Sequence, residues 1–381
     1  MPSLVSAERH QYNGNMRKTK TGSKHKKIRN TVIALGLLLL FLLFPTWTPS
    51  LKDEHGAVLP NSVASLEEVE LGGVKQSILI RGKDRSNPVV LFLHGGPGYP
   101  QIAYARRYQS ELENDFVVVN WDQRGAGKSY HWNLTDEDMK LDTLIEDTRQ
   151  LTEYLKERFQ QPKIFIVGHS WGSLLATWTV QKYPEHYYAY IGVGQVADSP
   201  QGELISYRYV LEEAKRRNLI EAVRELEAIG APPYQNPRED ATLERKWVMA
   251  FGGSERGSDT YADMIEGILL APEYSWMDGI RLVLGVFFPR HAILPQTRNV
   301  KLADTVPELA VPVIFCMGRH DYMTPSAVAY SYFEKLKAPE KQFIWFEESA
   351  HFPHFEETEK FHEVMLELKK AMMRVPAGIP S

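Results

Sequence analysis

One stretch constrains this chain more than any other: Lys163-Ile-Phe-Ile-Val-Gly-His-Ser-Trp-Gly-Ser173. Residues of buried-strand character, Lys163 to Val167, run into Gly168-His169-Ser170-Trp171-Gly172 and then into the apolar run Leu174 to Val180. A G-x-S-x-G between a strand and a helix is a nucleophile elbow. The serine sits on a strained turn, the residues two positions either side must lack bulk, and the hydroxyl stands at the carboxyl edge of a sheet. The Trp171 N–H and the start of the following helix then face negative charge developing beside Ser170. Such an element belongs to a mainly parallel sheet covered by helices.

The rest of the chain alternates accordingly. Val69 to Ile80 reads as a hairpin turning at Gly72-Gly73. Val89-Val-Leu-Phe-Leu93 and Phe116-Val-Val-Val-Asn-Trp121 read as strands buried on both faces. A helix with Leu141, Leu144, Ile145, Leu151 and Leu155 on one face precedes the elbow, and a strand through Ala189 to Val193 follows it. From Asp198 to Leu302 the pattern is helical, for instance Asn218 as a cap before Leu219, Ala222, Val223, Leu226 and Ile229, with Gly230 as stop. Strand character returns at Val311 to Met317 and Gln342 to Phe346, and a last helix carries Phe361, Val364, Met365 and Leu368. The expected architecture is a core split between residues 66–197 and 303–375, with a helical cap at 198–302 over the active edge of the sheet.

Residues 1–30 hold eight Lys/Arg against one acid, which leaves −11 for the remainder of a chain whose total is −4. An acidic body argues against nucleic acid as a partner. The basic tail leads into Thr31 to Phe44, fourteen residues without a charge, closed by Pro45-Thr-Trp47. Fourteen helical residues rise only ~21 Å against a hydrocarbon core of ~30 Å, so Ile28 and Trp47 are needed to complete a span. The segment 31–47 is expected to be a signal-anchor, with the basic tail cytoplasmic and the body extracytoplasmic. Cleavage as a secretory signal is the alternative, but Phe44-Pro-Thr-Trp-Thr-Pro-Ser50 offers no small-x-small site. Residues 48–65 read as a linker. The single cysteine, Cys316, excludes an internal disulfide and sits in an apolar strand.

A serine nucleophile needs a base and an acid to orient it, in the chain order Ser, Asp/Glu, His for this type of elbow. Asp321 follows the strand ending at Met317, and His351 follows the strand ending at Phe346; both positions are strand carboxyl ends, where such sheets place ligands. His354 and His362 are rivals for the base, His362 lying within the last helix. A zinc reading of His351 with His354 lacks thiolates and a third ligand. His94-Gly-Gly-Pro-Gly98 supplies the second half of an oxyanion hole, with an N–H of Gly95 or Gly96 joining that of Trp171. Gly125-Ala-Gly-Lys-Ser129 is not a phosphate loop, because Asp122 stands where the first glycine belongs. Asp122 and Arg124 are read as structural groups of that turn.

HGGPG at 94–98, DQRGAGKS at 122–129, GHSWGS at 168–173, GRHDYMTP at 318–325 and SAHFPHFEE at 349–357 together resemble the α/β-hydrolase superfamily, and within it the proline iminopeptidase group of serine peptidases. The resemblance spans about residues 66–375. It implies an α/β-hydrolase fold with an inserted cap, here preceded by a transmembrane helix. It also implies release of an N-terminal residue, often proline, from short peptides through an acyl-enzyme, with no metal or organic cofactor. Cap carboxylates would read the free ammonium, and Glu203 and Glu244 stand at the matching positions, with Glu266, Glu273 and Asp278 as further candidates. His169, Tyr99-Pro100 and Ala350 depart from the glycines usual in the group, which bears on strictness for proline. An esterase, lactonase or amidase acting on small acyl substrates is the enzymatic alternative, and a non-catalytic binding protein the alternative of another class.

Overall fold

The structure is a computed structural model that describes residues 26–36, 45–256, 266–268 and 270–373. The chain forms two compact units, Met1–Phe44 and Pro45–Ser381. In the first, residues 26–36 are helical. Residues 37–44 of the expected anchor lie outside the described residues, and among those described no helix is long and apolar enough to cross a membrane. Trp47 adds no length to a helix there, because residues 45–50 are irregular and its N–H donates to Pro272 O at 3.0 Å. The start of the stretch read as a linker is held to the body: Thr48 Oγ1 donates to Glu273 at 2.8 Å, Arg81 donates to Pro49 O at 2.7 Å, and Leu51 is buried.

The second unit is built on eight strands: β1 (Val63–Leu71), β2 (Val74–Gly82), β3 (Val89–Leu93), β4 (Val117–Trp121), β5 (Ile164–His169), β6 (Tyr187–Val193), β7 (Val313–Gly318) and β8 (Lys341–Phe346). Their order across the sheet is β1-β2-β4-β3-β5-β6-β7-β8. β1–β2 and β2–β4 are antiparallel and every other neighbour pair is parallel. The hairpin turns on Gly72 and Gly73 at φ 53° and 75°, a two-residue connection that matches the twist of its strands only where both residues take left-handed backbone. Alternate residues of the central strands feed two cores. Val89, Leu91 and Leu93 lie with Leu144, Leu151, Leu155, Leu174 and Leu175 on one face; Val90 and Phe92 lie with Phe361, Met365 and Leu368 on the other.

The helices that matter here are α1 (Ile102–Gln109), α2 (Leu141–Phe159), α3 (Trp171–Lys182), α4 (Ser199–Arg216), α5 (Ile220–Ile229), α6 (Pro237–Ala250), α7 (Trp276–Thr297), α8 (Ser326–Lys335) and α9 (Thr358–Met372). α4 to α7 occupy the interval between β6 and β7. Asn218 does not cap α5 as its sequence position suggested. It sits at φ 55° with its N–H donating to Lys215 O, so it ends α4 in the left-handed conformation that asparagine tolerates.

Candidate active site

Ser170 joins β5 to α3 at φ 54° and ψ −120°, a strained backbone that the surroundings hold in place. Its N–H donates to Val193 O at 2.9 Å, and its carbonyl accepts from Ser173 N at 2.9 Å and Ser173 Oγ at 2.5 Å. The space is closed by backbone: a Cβ on Gly172 would come 2.1 Å from Leu93 O, and one on Gly168 2.4 Å from Gly172 O. The loop after β3 lies directly against the serine, since a Cβ on Gly95 would be 3.1 Å from Ser170 Cβ. Gly95 therefore lies against Ser170, which is followed by the N-terminal residue of α3, Trp171, while Gly96 at φ 119° turns the loop towards Gly98 and Tyr99.

Two further loops reach the same edge, the base loop meeting the elbow at His169. His351 Nδ1 is 2.8 Å from Asp321 Oδ2, both side chains being almost fully buried. A carboxylate only accepts, so Nδ1 carries the proton and Nε2 presents a lone pair. Asp321 Oδ1 accepts the N–H groups of Met323 at 2.8 Å and Thr324 at 2.9 Å. Thr324 Oγ1 stands 2.9 Å from Asp321 Oδ2, 3.0 Å from Gly194 O and 3.2 Å from His351 Nδ1. The rival histidines are elsewhere employed. His362 lies 3.2 Å from Asp115 on the opposite core face. His354 is buried with neither ring nitrogen hydrogen-bonded among the described residues, its ring tilted against Phe355 at 3.8 Å.

Three buried histidines brace these loops as neutral rings. His94 Nε2 accepts from Gln123 N at 3.1 Å, so its Nδ1–H donates to Gly95 O at 2.8 Å; burial lowers its pKa to about 4. Gln123 also donates to His94 O at 3.0 Å and accepts from Trp171 Nε1 at 2.9 Å, tying the 94–98 loop to the elbow. His169 Nε2–H donates to His351 O at 2.9 Å, and burial, then the neighbouring His351 and His354, hold its pKa well below the usual value. Burial likewise takes His354 down to about 3. Asp122 and Arg124 are framework groups of the adjoining turn. Arg124 grips Asp147 through two hydrogen bonds of 2.7 and 2.8 Å, and Asp122 accepts from Lys128 N and the Tyr274 hydroxyl, while burial raises its carboxyl to about 7.

The cap is registered on the acid and base loops. After α6, Gly253 O accepts from Tyr322 N at 2.9 Å and Met323 N at 3.2 Å, and Ser254 O accepts from His351 N at 2.8 Å. Glu356 ties the same stretch to the base loop, taking Arg256 N on one oxygen and Ala350 N and Phe352 N on the other. From α4, Ser206 Oγ donates to Tyr322 O at 2.6 Å, and Arg245 of α6 donates to Ser206 Oγ at 3.3 Å. Around Arg245 gathers an unusual group. Glu244 is fully buried, neither carboxylate oxygen has a hydrogen-bond partner among the described residues, and Arg245 Nε stands 3.6 Å from its Oε2. Burial, then the charge of Glu203 against the relief from Arg245, brings its pKa to about 7. Glu203 is half-buried on α4 and also raised by burial, opposed by Arg245 and Arg298. The Tyr234 hydroxyl, in the same electrostatic neighbourhood, is buried without a hydrogen-bond partner among the described residues. Glu273 and Asp278 are taken up elsewhere, by Arg106 at 2.6 Å and Lys128 at 2.8 Å, and Glu266 is exposed.

Sequence reasoning missed Gln123, Thr324, Tyr234, Arg245 and Glu356. Gln123 and Thr324 could have been found beside Asp122 and three residues after Asp321, where a side chain that bonds a loop carboxylate or carbonyl belongs. Arg245, Tyr234 and Glu356 carry no local signal, because their partners come from other elements.

A model of the alpha/beta hydrolase fold family matches residues 88–358. The chain is 36% identical to a probable aminopeptidase, YbaC, of Bacillus subtilis over 79% of its own length and 94% of that protein's. It is 25% identical to a proline iminopeptidase of Heyndrickxia coagulans over 72% of its own length and 88% of that protein's. The crystal structure of a Mycobacterium smegmatis proline iminopeptidase superposes with a TM-score of 0.58 at 16% identity, covering 81% of this chain and 98% of that one, which speaks to the fold alone. The elbow between β5 and α3, the parallel sheet and these matches lead to one statement: the chain belongs to the alpha/beta hydrolase fold family.

Proposed function

We propose that the protein is a serine aminopeptidase that releases an N-terminal residue, proline favoured, from short peptides. Ser170 Oγ attacks the scissile carbonyl; His351 Nε2 takes its proton and returns it to the leaving amine; Asp321 holds the imidazole in the tautomer with Nδ1 protonated. The N–H groups of Trp171 and of Gly95 or Gly96 receive the oxyanion, and water then releases the acyl group by the reverse proton path. The observation that supports the peptidase reading is the buried carboxyl of Glu244, whose oxygens have no hydrogen bond among the described residues and whose neighbouring charges are Arg245 at 3.6 Å and Glu203, with Arg245 and Ser206 leading to the acid loop. A buried carboxyl whose pKa burial raises to about 7 ionises when a substrate ammonium enters, because that ammonium offsets the cost of the buried charge. The names of the relatives agree with this reading.

The test compares aminoacyl arylamides with short acyl esters on the purified protein. Glu203→Gln should depress kcat/KM for prolyl arylamide about tenfold or more while leaving neutral esters within a factor of about two, since a charge-assisted hydrogen bond contributes ~1.5–3 kcal/mol. Equal losses on both substrates would remove Glu203 from amine recognition, and activity confined to esters would replace the peptidase reading with an esterase one. We also propose that residues 31–44 anchor the chain in a membrane, on the uncharged run and the basic residues that precede it.

A further inference from the structure

The histidine proposed as the base is held through its backbone from outside its own loop. His351 N–H donates to Ser254 O of the cap at 2.8 Å, and His351 O accepts from His169 Nε2–H of the elbow at 2.9 Å. The N–H groups on either side of it, Ala350 at 2.8 Å and Phe352 at 3.3 Å, both donate to Glu356 Oε2. The other oxygen of Glu356 accepts the Arg256 N–H, two residues beyond Ser254. One side chain thus fastens the base loop with one oxygen and the cap with the other. Only a carboxylate does this without conflict, because an amide has a single acceptor oxygen and turns an NH2 group on the remaining donors.

Glu357, the next residue, provides the contrast. It braces an earlier part of the same loop, taking Ser349 Oγ at 2.6 Å and Glu348 N at 3.2 Å, and neither bond touches the cap. The cap segment that Glu356 reaches also meets the acid. Gly253 O accepts from Tyr322 N at 2.9 Å and shares the Met323 N–H, at 3.2 Å, with Asp321 Oδ1 at 2.8 Å. Residues 253–256 therefore contact both the loop that carries the base and the loop that carries its orienting acid. The 2.8 Å contact between His351 Nδ1 and Asp321 Oδ2 and the seating of that segment are set together.

We propose that Glu356 is a positioning residue that couples the docking of cap segment 253–256 to the orientation of the His351 imidazole. With the segment docked, the N–H groups flanking His351 are fixed by a carboxylate that is itself fixed by the cap. With it lifted, His351 N–H and one oxygen of Glu356 lose their partners together, and the side chain spanning Ala350 and Phe352 is free to turn. This rests on Ser170 and His351 acting as nucleophile and base, and it holds whether the acyl group leaves an amine or an alcohol.

The test measures phosphonylation of Ser170 by a fluorophosphonate and turnover of a short acyl ester, on the full chain and well below each variant's melting temperature. Both readouts need an activated serine and neither needs an amine site. For Glu356→Gln the expected result is a fall of about tenfold or more in the phosphonylation rate and in kcat, with KM within a factor of about two, because a misaligned base slows the transition state without altering ground-state binding. Arg256→Pro removes only the cap's donor. It should lose severalfold by itself and little more when combined with Glu356→Gln, since the two act through one contact. Glu357→Gln should stay within a factor of about two of the parent. Glu356→Gln at the parent's rates overturns the inference and leaves the serine mechanism standing. An equal loss in Glu357→Gln overturns it by making Glu356 a general brace of the loop, and Arg256→Pro at the parent's rates overturns it by detaching the cap. If Glu356→Gln does not fold, the Arg256→Pro result decides alone. A parent whose Ser170 does not react overturns the serine mechanism and the inference together.

Discussion

Ser170 illustrates how much of this site is set by what cannot be placed around it. Its backbone is held at φ 54° by Val193 O and Ser173, and the strand end at Leu93 closes on Gly172 so tightly that no side chain fits. Gly172→Ala forces a methyl against Leu93 O and His94 O, both backbone atoms that cannot swing aside. We expect a loss of roughly 3 kcal/mol or more in stability, and of nearly all activity as the elbow separates from the 94–98 loop, measured by thermal unfolding and by labelling of Ser170 with a fluorophosphonate. Thr324 is the subtler case. Its hydroxyl lies within hydrogen-bond distance of Asp321, Gly194 and His351, so Thr324→Val leaves the carboxylate one contact short without changing shape. The expected outcome is a fall of about tenfold in kcat with little change in KM, read from steady-state kinetics on whichever substrate turns over.

At the scale of elements, α6 carries a carboxyl that the fold holds at a cost. Glu244 has its pKa raised to about 7 from 4.5 by burial. The folded state therefore binds this proton more tightly than the unfolded state, and stability falls as pH rises from about 4.5 through 7, then levels off. Glu244→Gln removes that dependence. The melting temperature of the variant relative to the parent should rise between pH 5 and pH 8, by an amount that corresponds to a few kcal/mol at ~1.4 kcal/mol per pKa unit. A difference that is flat with pH means the carboxyl is not held protonated in the fold. The elements themselves were legible because their periods are strong: β3, β4 and β5 are continuous apolar runs, and α2 and α9 show one apolar face each. Asn218 and the stretch 48–65 were misread for the opposite reason. A turn asparagine suits a helix end as well as a helix start, and a polar stretch with prolines looks like a linker whether or not Leu51 is buried.

Across the whole molecule the buried histidines weaken the fold as the pH falls. His354 has a folded pKa of about 3 against 6.5 unfolded, so as pH falls below about 6.5 the unfolded chain takes up the proton first and the folded state loses stability. His94 and His169 act in the same direction, while Asp122 and Glu244 oppose them over the same range. Replacing one ring isolates its share. For His354→Phe the melting temperature relative to the parent should climb as pH is lowered from 6.5 to 5, by the equivalent of about 2 kcal/mol. No change in that difference would mean that His354 is already hydrated or paired in solution.

What the sequence determined by itself was the order of chemistry along the chain. The elbow at 168–172, the glycine loop at 94–98, Asp321 and His351 each sit at a strand end, and local patterning locates strand ends well because burial on both faces leaves an unbroken apolar run. What only the tertiary structure decided was which polar groups meet. Gln123 joins Trp171 to the 94–98 loop, Ser254 and Glu356 lock the cap to the base loop, and Glu244 is buried beside Arg245 with no hydrogen bond among the described residues. Each of these depends on distances between residues far apart in the chain, and a hydrogen bond is decided within a few tenths of an ångström. The orientation of α7 belongs to the same class: only the packing of Gly285 inward shows that Phe287 looks out.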